Sequence, residues 1–342
     1  QQLEHELFVS LHELIAREAR RVYETADAIA KIDALLSLAD VASSKNYCKP
    51  QIDHSAAVNV RDGRHPVVED LMNRSEFVPN DIRLDTASGS MLIITGPNMA
   101  GKSTYLRQVA LITLMAQIGS FVPAAEATIG VVDRIFTRVG ASDNLVRGES
   151  TFMVEMIETA NILNAATDRS LLVLDEIGRG TSTFDGISIA WAVAEHIHDA
   201  IGAKTLFATH YHELTELGNQ LPHARNVNVA VREYAGKVVF LYRIVDGGAD
   251  HSYGIQVARL AGLPRPVIQR ARAIMDALET GNTAVLGIPQ QMSLFGHPAP
   301  SDKSKPVAPS QLESDLAGVD PDTLSPKEAL DLVYRLKKSL GN

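Results

Sequence analysis

The sequence has few of the features that are typical of secreted or membrane proteins: it has little cysteine, no long apolar run and no signal-peptide pattern. Cys48 is the only cysteine among 342 residues, so no intrachain disulfide is possible and a reducing compartment is favoured. The apolar runs, such as 171–174, are far shorter than the ~20 residues that a membrane-spanning helix needs. Residues 1–8 lack the basic and then apolar layout of a signal peptide. We therefore expect a soluble, cytoplasmic protein.

An excess of basic residues is also missing. The chain carries 32 Lys and Arg residues against 41 Asp and Glu residues, a formal net charge of −9. Proteins that bind nucleic acids usually have a basic excess, because neutralisation of phosphates supplies most of their affinity. The chain as a whole is therefore not expected to present a DNA-binding surface.

The composition itself is that of a globular protein, with 45% hydrophobic and 21% charged residues, and this excludes a wholly disordered chain. At roughly 100–200 residues per domain, the length indicates about two domains. From about residue 44, short β-prone runs alternate with helical stretches, which is typical of an α/β fold with a largely parallel, buried sheet. The run 238–245 predicts a further strand, paired antiparallel with 226–231.

The N-terminal segment predicts one long helix. Between residues 3 and about 40, apolar residues recur at the spacing of one helical face. The pattern starts without a capping residue and the chain starts without Met, so we expect a fragment. Two explanations of the apolar face stay open: a coiled-coil arm, or a helix packed on the following domain.

The C-terminal part predicts helices separated by a linker. Residues 252–279 form two helical pieces, broken where Pro264 and Pro266 remove backbone donors. Residues 281–318 are expected to be a flexible linker, because much of this stretch is rich in Pro, Ser and charge. Residues 319–342 predict a small helix whose apolar stripe is most simply buried against a copy of itself.

The strongest motif is GPNMAGKS at 96–103, which fits the phosphate-loop pattern and lies between an apolar run and a helical stretch. Gly96 and Gly101 allow the backbone to wrap around phosphates with its N–H groups aimed inward. Lys102 would supply positive charge to the β- and γ-phosphates, and Ser103 a hydroxyl ligand for Mg²⁺. The alternative is a glycine-rich turn that matches by chance, which the strand and helix on either side disfavour.

A second motif, LLVLDEIGRGTSTFDG at 171–186, predicts a buried strand that delivers two carboxylates to one edge of the sheet. Asp175 would hold Mg²⁺, directly or through water, and Glu176 would act as general base on the attacking water. A strand end with exposed acids is common in isolation. Together with a phosphate loop upstream, the pair indicates nucleotide hydrolysis.

A third signal, Thr209 and His210, follows another apolar strand that should end at the same edge. An imidazole at this position would sense the γ-phosphate. A lone histidine at a strand end is usually structural, and only the neighbouring motifs favour the catalytic interpretation.

These residues carry a family resemblance. The strings TGPNMAGKSTYLRQ, FTRVGASDNL, STFMVEM, DEIGRGTSTFDG and ATHYHEL strongly resemble the ATPase region of the MutS family of DNA mismatch-repair proteins, in its bacterial form, over roughly residues 60–260. The resemblance implies an ABC-type P-loop ATPase with a mostly parallel sheet flanked by helices, a long N-terminal helix and a C-terminal helical tail. It implies a dimer in which each ATP site is completed by the other subunit.

The resemblance also implies roles for individual residues. Ser150 and Thr151 match the signature segment that reaches the γ-phosphate across the dimer, and Phe77 matches the aromatic that stacks on adenine, although a core Phe is the alternative there. The resemblance implies catalytic roles for Glu176 and His210, and metal binding by Ser103 and Asp175. The implied ATP-binding residues are Gly96, Pro97, Asn98, Met99, Ala100, Gly101, Lys102, Ser103, Thr104 and Phe77.

Other partners follow from the resemblance. Residues 252–279, which could be mistaken for a helix-turn-helix, resemble the dimer contact behind the ATPase core. The segment Gln291, Met292, Ser293, Leu294 and Phe295 resembles the pentapeptide by which bacterial repair proteins dock on the sliding clamp, and a chance match is the alternative. The tail resembles the element that joins dimers into tetramers. Mismatched DNA, bound through missing N-terminal domains, and a MutL-type repair protein are further expected partners.

The sequence therefore predicts a fragment with four parts: the end of a helical lever (1–43), an ATPase domain with its dimerisation helices (44–280), the linker with the clamp-like motif, and the tail. The expected reaction converts ATP and water into ADP and phosphate with Mg²⁺. Other ABC ATPases should show a Leu-Ser-Gly-Gly-type signature, which is missing, and a recombination paralogue should carry a nuclease-like domain, for which the tail is too short. A tethering module that acts through 290–342, with a passive ATPase scaffold, is the alternative from a different class.

Overall fold

The computed structural model describes residues 1–72, 76–85, 89–97, 100–139, 150–234, 237–248, 253–279 and Lys327. It divides into two units, residues 1–268 and residues 269–342. The predicted linker and tail at 281–342, with the clamp-like motif, lie outside the described residues apart from Lys327. None of the described helices has an apolar stretch long enough to cross a membrane.

The N-terminal helix α1 (Gln2–Ser44) confirms the predicted long helix. Of its 43 residues only Ala42 is buried, and the apolar stripe that predicted it is exposed. The described part of the chain therefore does not cover that stripe. The end of α1 is held by Arg64, which donates to the carbonyl oxygens of Lys45 and Asn46 and to the Glu69 carboxylate.

Ten strands and seven further helices follow α1 within the described residues. The strands are β1 (Gln51–Asp53), β2 (Val58–Gly63), β3 (Asn80–Leu84), β4 (Met91–Thr95), β5 (Glu126–Gly130), β6 (Ile135–Val139), β7 (Leu171–Asp175), β8 (Lys204–Ala208), β9 (Ala224–Tyr234) and β10 (Lys237–Asp246). The helices are α2 (Val68–Leu71), α3 (Lys102–Gln117), α4 (Thr151–Ala165), α5 (Thr183–His196), α6 (Leu217–Gln220), α7 (Gly254–Leu260) and α8 (Arg265–Glu279). A π-helical turn (Ile197–Ile201) extends α5, and a 3₁₀ turn (His212–Glu216) precedes α6.

The larger sheet has six strands in the order β10-β9-β4-β8-β7-β6. Five of them run parallel and β10 is antiparallel to β9, which confirms both the largely parallel sheet and the predicted antiparallel pair. Every residue of β4 and β8 is buried, because helices or a second sheet cover both faces. The carboxyl ends of the parallel strands meet at one edge, where ligands bind in sheets of this type.

The core has two layers, one on each face of this sheet. Leu92 and Ile94 of β4 pack with α3 and a smaller sheet, whereas Met91 and Ile93 pack with α5. The smaller sheet has the order β1-β5-β2-β3 and is mainly antiparallel. The sequence interpretation did not anticipate this second sheet. It matters for function because, with the larger sheet, it encloses α3, the helix that follows the phosphate loop.

The two helices predicted over residues 252–279 are present. Helices α7 and α8 are separated by a short turn in which Gly262 has a φ of +89°. Pro266 lies in the first turn of α8, where its missing N–H is tolerated, and the carbonyl oxygen of Pro264 accepts from the backbone N–H of Val267. The proline pair therefore ends one helix and starts the next.

Candidate active site

The phosphate-loop motif lies between β4 and α3, as the motif requires. Gly96 and Gly101 have φ values of +129° and +102°, which favour glycine. A Cβ on Gly96 would also lie 3.3 Å from the backbone nitrogen of Val229. The loop therefore depends on glycine at both ends. Asn98 and Met99 lie outside the described residues.

Lys102 is the first residue of α3, and its side chain is buried. Its ammonium donates to the carbonyl oxygen of Gly96, so the side chain folds back over the loop. Burial lowers the pKa of Lys102, while the nearby carboxylates of Glu176 and Asp175 raise it. A cation thus lies inside the loop, and an anion bound there would offset the cost of burying it.

Ser103 lies beside the carboxylate that ends β7. Its hydroxyl donates to Oδ2 of Asp175 at 2.7 Å. Burial raises the pKa of Asp175, and the hydrogen bond from Ser103 opposes that rise. Two oxygens of the type that Mg²⁺ prefers therefore converge at the sheet edge.

These two oxygens fit a magnesium ion shared with a nucleotide better than a metal centre built from protein alone. Among the described residues there is no cluster of three or more His, Cys, Asp or Glu side chains that could hold a metal. Mg²⁺ is usually bound through one or two carboxylates and substrate phosphates, with water completing the shell. The donor set of Ser103 and Asp175 matches that description.

Glu176 follows β7 in an unusual backbone conformation. Its φ is +56°, in the left-handed region that costs an L-residue free energy, and its N–H donates to the carbonyl oxygen of Ala208 at 2.9 Å. Its carboxylate accepts from Arg179 at 2.7 Å and is 13% exposed. Strained residues of this kind cluster at functional sites, so the conformation supports a role for the carboxylate.

A cavity of about 940 Å³ collects most of the predicted residues. Its lining includes Phe77 and the following members of the two main motifs: Pro97, Ala100, Gly101, Lys102, Ser103, Thr104, Asp175 and Glu176. The volume is within the range of small-molecule sites, and the lining combines apolar side chains with a few charged groups. Phe77 therefore lies where an aromatic residue can contact a ligand, rather than in the core.

A second aromatic residue, Tyr242, lines the cavity and was missed by the sequence interpretation. The pairing of β10 with β9 shifts between Phe240 and Ile244, and Tyr242 in this bulge has a φ of +53°. Asn80 holds the bulge, because its amide donates to the carbonyl oxygen of Tyr242 at 2.9 Å and its Oδ1 accepts from the N–H of Ile244 at 2.7 Å. The ring then lies 3.3 Å from the position of a Cβ on Gly101.

Two family models match the chain. The model described as MutS domain V matches residues 92–279, and the model described as the DNA mismatch repair protein MutS C-terminal region matches residues 305–339. The chain belongs to the MutS family. The domain V match covers the phosphate loop, the β7 carboxylates and both helices α7 and α8.

Curated MutS relatives agree over the full chain. It is 54% identical to the DNA mismatch repair protein MutS of Syntrophobacter fumaroxidans, over 99% of this chain and 39% of the relative. It is 53% identical to the proteins of that name from Ruminiclostridium cellulolyticum, over 100% of this chain and 40% of the relative, and Anaeromyxobacter dehalogenans, over 99% and 40%. The chain thus spans about two fifths of the length of these relatives.

Ser150 and Thr151, the predicted signature residues, lie at the start of α4. Ser150 is the N-cap of this helix, and its hydroxyl accepts from the N–H of Met153 at 3.2 Å. Its side chain is exposed and does not line the cavity, whereas Thr151 does. Ser150 is therefore not brought together with the phosphate loop of its own chain, and its role across a MutS dimer stays a prediction.

His210 is also separated from the main cavity. It lines a neighbouring cavity of about 370 Å³ with Tyr211, and Arg179 lines both cavities. Partial burial lowers the pKa of His210, so its neutral form is favoured. Its role toward a γ-phosphate stays a prediction.

Proposed function

We propose that this chain is the ATP-binding and ATP-hydrolysing motor region of a MutS-type mismatch-recognition protein, and that it works as a dimer. The observation that carries the proposal is the convergence of Lys102, Ser103, Asp175 and Glu176 in one cavity. Phosphoryl transfer to water needs a loop that binds phosphates, oxygens that bind a divalent cation and a carboxylate that can act as base. These residues provide all three.

ATP binding would use the loop and the two aromatic side chains. Backbone N–H groups of Gly96, Ala100 and Gly101 and those of the first turn of α3 would favour phosphate, and Lys102 adds a positive charge. Phe77 and Tyr242 offer faces on which a purine can stack. The proposed ATP-binding residues are those named from the sequence, with Tyr242 added.

Hydrolysis would convert ATP and water into ADP and phosphate. Ser103 and Asp175 would hold Mg²⁺, which neutralises phosphate charge when bound. Glu176 would orient the attacking water and accept its proton, and Arg179 holds one oxygen of that carboxylate. His210, in the neighbouring cavity that Arg179 also lines, would act toward the γ-phosphate.

The dimer would complete each site. Ser150 and Thr151 would contact the γ-phosphate bound by the partner subunit, in line with the exposure of Ser150 and its position outside the cavity of its own chain. Residues 252–279 would form the dimer contact. We propose the part boundaries given above, with the tail at 319–342 joining dimers into tetramers.

The remaining partners belong to the whole protein. The relatives are named as DNA mismatch repair proteins of bacteria, and the chain spans about two fifths of their length. We therefore propose that mismatched DNA is bound by parts outside this sequence, through which nucleotide state is coupled to a MutL-type partner in the cytoplasm. Residues Gln291–Phe295 would dock on a sliding clamp.

Glu176→Gln tests the catalytic assignment. The variant should bind ATP as the unchanged chain does and lose turnover by roughly 10²–10⁴-fold, because it cannot accept a proton. Lys102→Ala should instead weaken ATP binding. Fluorescent-nucleotide binding and steady-state hydrolysis, measured on the same preparations, separate the two. Hydrolysis by Glu176→Gln at the unchanged rate would refute the assignment of the base.

A further inference from the structure

A buried ion pair that the proposed reaction does not use lines the same cavity as Glu176. Glu155 of α4 and Arg138 of β6 have side chains only 5% and 7% exposed, and Oε2 of Glu155 lies 3.5 Å from the Arg138 guanidinium. Glu158 is a second partner of Arg138, with Oε2 at 3.1 Å. Burying a carboxylate costs free energy unless the group is both paired and hydrogen-bonded, so the second oxygen of Glu155 should also have a partner.

The other oxygen of Glu155 holds the turn that follows the proposed base. Oε1 accepts from the backbone N–H of Gly178 at 2.5 Å, and the carbonyl oxygen of Gly178 accepts from the Tyr211 hydroxyl at 2.9 Å. Gly178 has a φ of +89°, and a Cβ there would approach the carbonyl oxygen of Gly186 to 2.5 Å. The N–H and the carbonyl of one glycine are therefore both held by side chains.

Gly178 lies two residues after Glu176 and one before Arg179, which holds the Glu176 carboxylate. Since Glu176 has a φ of +56°, its conformation persists only where the surroundings hold it. Two hydrogen bonds restrain the backbone around Glu176. On its carboxyl side, Glu155 accepts from the N–H of Gly178, and on its amino side the N–H of Glu176 itself donates to the carbonyl oxygen of Ala208.

Helix α4 contacts the same turn at a second point. A Cβ on Gly180 would lie 2.8 Å from the Cβ of Phe152, so the turn packs closely on the first turn of α4. The helix that carries Glu155 is also the helix capped by Ser150. A displacement at the Ser150 end of α4 would therefore reach the turn at both Phe152 and Glu155.

We infer that Glu155 is a positioning residue for Glu176, which links the position of α4 to the orientation of the general base. The inference rests on the proposed function. It predicts that the decisive atom is the acceptor toward the Gly178 N–H, not the charge toward Arg138. Buried donors that lose their acceptor are destabilised, so the turn should loosen when that oxygen is removed.

The test uses two matched double variants of the full chain. Glu155→Gln with Arg138→Met removes the ion pair but keeps an oxygen acceptor, whereas Glu155→Leu with Arg138→Met removes both. Single-turnover hydrolysis should be about tenfold or more slower in the Leu variant than in the Gln variant, with ATP dissociation constants within about threefold of each other. Deuterium exchange of the 176–182 backbone should be faster in the Leu variant.

The outcomes separate the inference from the function on which it rests. Equal exchange in the two variants, or equal hydrolysis rates beside an active unchanged chain, would overturn the positioning role. A parallel loss of ATP affinity and rate in the Leu variant would also overturn it, because it would indicate a collapsed cavity. If deuterium exchange of residues 176–182 differs between the two variants but the unchanged chain hydrolyses no ATP, the proposed function is refuted. The contact between Glu155 and the turn at Gly178 is then still supported.

Discussion

The hydroxyl of Ser103 donates to the carboxylate of Asp175 at 2.7 Å, although 72 positions separate them in the chain. Ser103 lies in the first turn of α3, which follows β4, and Asp175 ends β7, with β8 between the two strands. The parallel sheet thus brings the two oxygens together at one edge. In the proposed site both would turn to a shared Mg²⁺.

Ser103→Ala should therefore raise the Mg²⁺ concentration needed for hydrolysis. We expect a shift on the order of ten- to hundredfold, the range typical of residues that support a metal site. Ser103→Thr keeps the hydroxyl and serves as the matched control. The measurement is the ATPase rate titrated against Mg²⁺ at saturating ATP. An unchanged Mg²⁺ dependence in Ser103→Ala would remove this hydroxyl from the metal site.

Asp175→Asn should stabilise the fold at neutral pH. Burial raises the folded-state pKa of Asp175 above the ordinary value of about 3.9, so the folded state favours the protonated carboxyl. Below the pKa that Asp175 has in the unfolded chain, the carboxyl is protonated in both states and does not destabilise the fold. As the pH rises through the pKa that it has in the folded chain, the buried carboxyl ionises and that stability is lost. At pH 7 the ionised, buried carboxylate therefore costs stability that asparagine does not.

The gain should shrink as the pH falls toward 4. Thermal unfolding midpoints, measured without nucleotide or Mg²⁺, should be a few degrees higher for Asp175→Asn at pH 7.5 and nearly equal to those of the unchanged chain at pH 4. Asp40→Asn, on the exposed surface of α1, controls for the loss of one charge. A lower midpoint for Asp175→Asn at pH 7.5 would contradict the sign of this argument.

The composite site can be tested by mixing variants. Ser150 also caps α4, so alanine there would remove a helix cap as well as a phosphate contact. Ser150→Asp keeps a capping oxygen and places a negative charge where the partner's phosphate would lie. Neither this variant nor Lys102→Ala should hydrolyse ATP alone, whereas heterodimers of the two should have one intact site.

Recovery of activity on mixing, with heterodimers verified by a tagged pull-down, is the expected result. The control mixes Lys102→Ala with a chain that carries both Ser150→Asp and Glu176→Gln. Its heterodimers have no intact composite site, because the chain with the unchanged phosphate loop lacks the base. Verified heterodimers without activity in the first mixture would count against the contact across the dimer.

The site residues that the sequence predicted lie in local motifs next to apolar strands. Lys102 follows a phosphate loop, and Glu176 follows a strand whose four apolar residues are buried. Each motif includes the apolar strand that precedes it, so the sequence indicates where these residues lie in the sheet. The edge at which parallel strands end then brings them together without further information. That is why the motifs alone located this part of the cavity.

The residues that the sequence did not predict depend on contacts between distant parts of the chain. Tyr242 enters the cavity through a bulge held by Asn80, which lies 162 positions earlier, and no local pattern marks the pair. Glu155 is one acidic residue on a helix, and its burial against Gly178 follows only from the packing of α4. The smaller sheet was missed because strands such as β1, with three exposed residues, have little pattern.

Tyr242 provides the final prediction, on nucleobase binding. Its ring is half exposed and lies beside Gly101, while its φ of +53° suits glycine, so Tyr242→Gly removes the ring without straining the bulge. Stacking of a base on an aromatic ring contributes about 1–3 kcal/mol, so we expect ATP to bind at least about fivefold more weakly. Tyr242→Phe keeps the stacking face and should bind ATP like the unchanged chain.

Inorganic tripolyphosphate separates the base from the phosphates. It should bind the unchanged chain and Tyr242→Gly equally, because it has no base and its contacts are with the loop around Lys102. Calorimetric titration of both ligands into both variants provides the comparison. Loss of tripolyphosphate affinity in Tyr242→Gly would mean that the ring supports the loop instead of the base. Unaltered ATP affinity in that variant would mean that Tyr242 does not stack on the base. Phe77 would then be the only aromatic candidate for stacking among the described residues that line the cavity. Tyr105 also lines the cavity, but it is buried in the core and its hydroxyl donates to the carbonyl oxygen of Asp81.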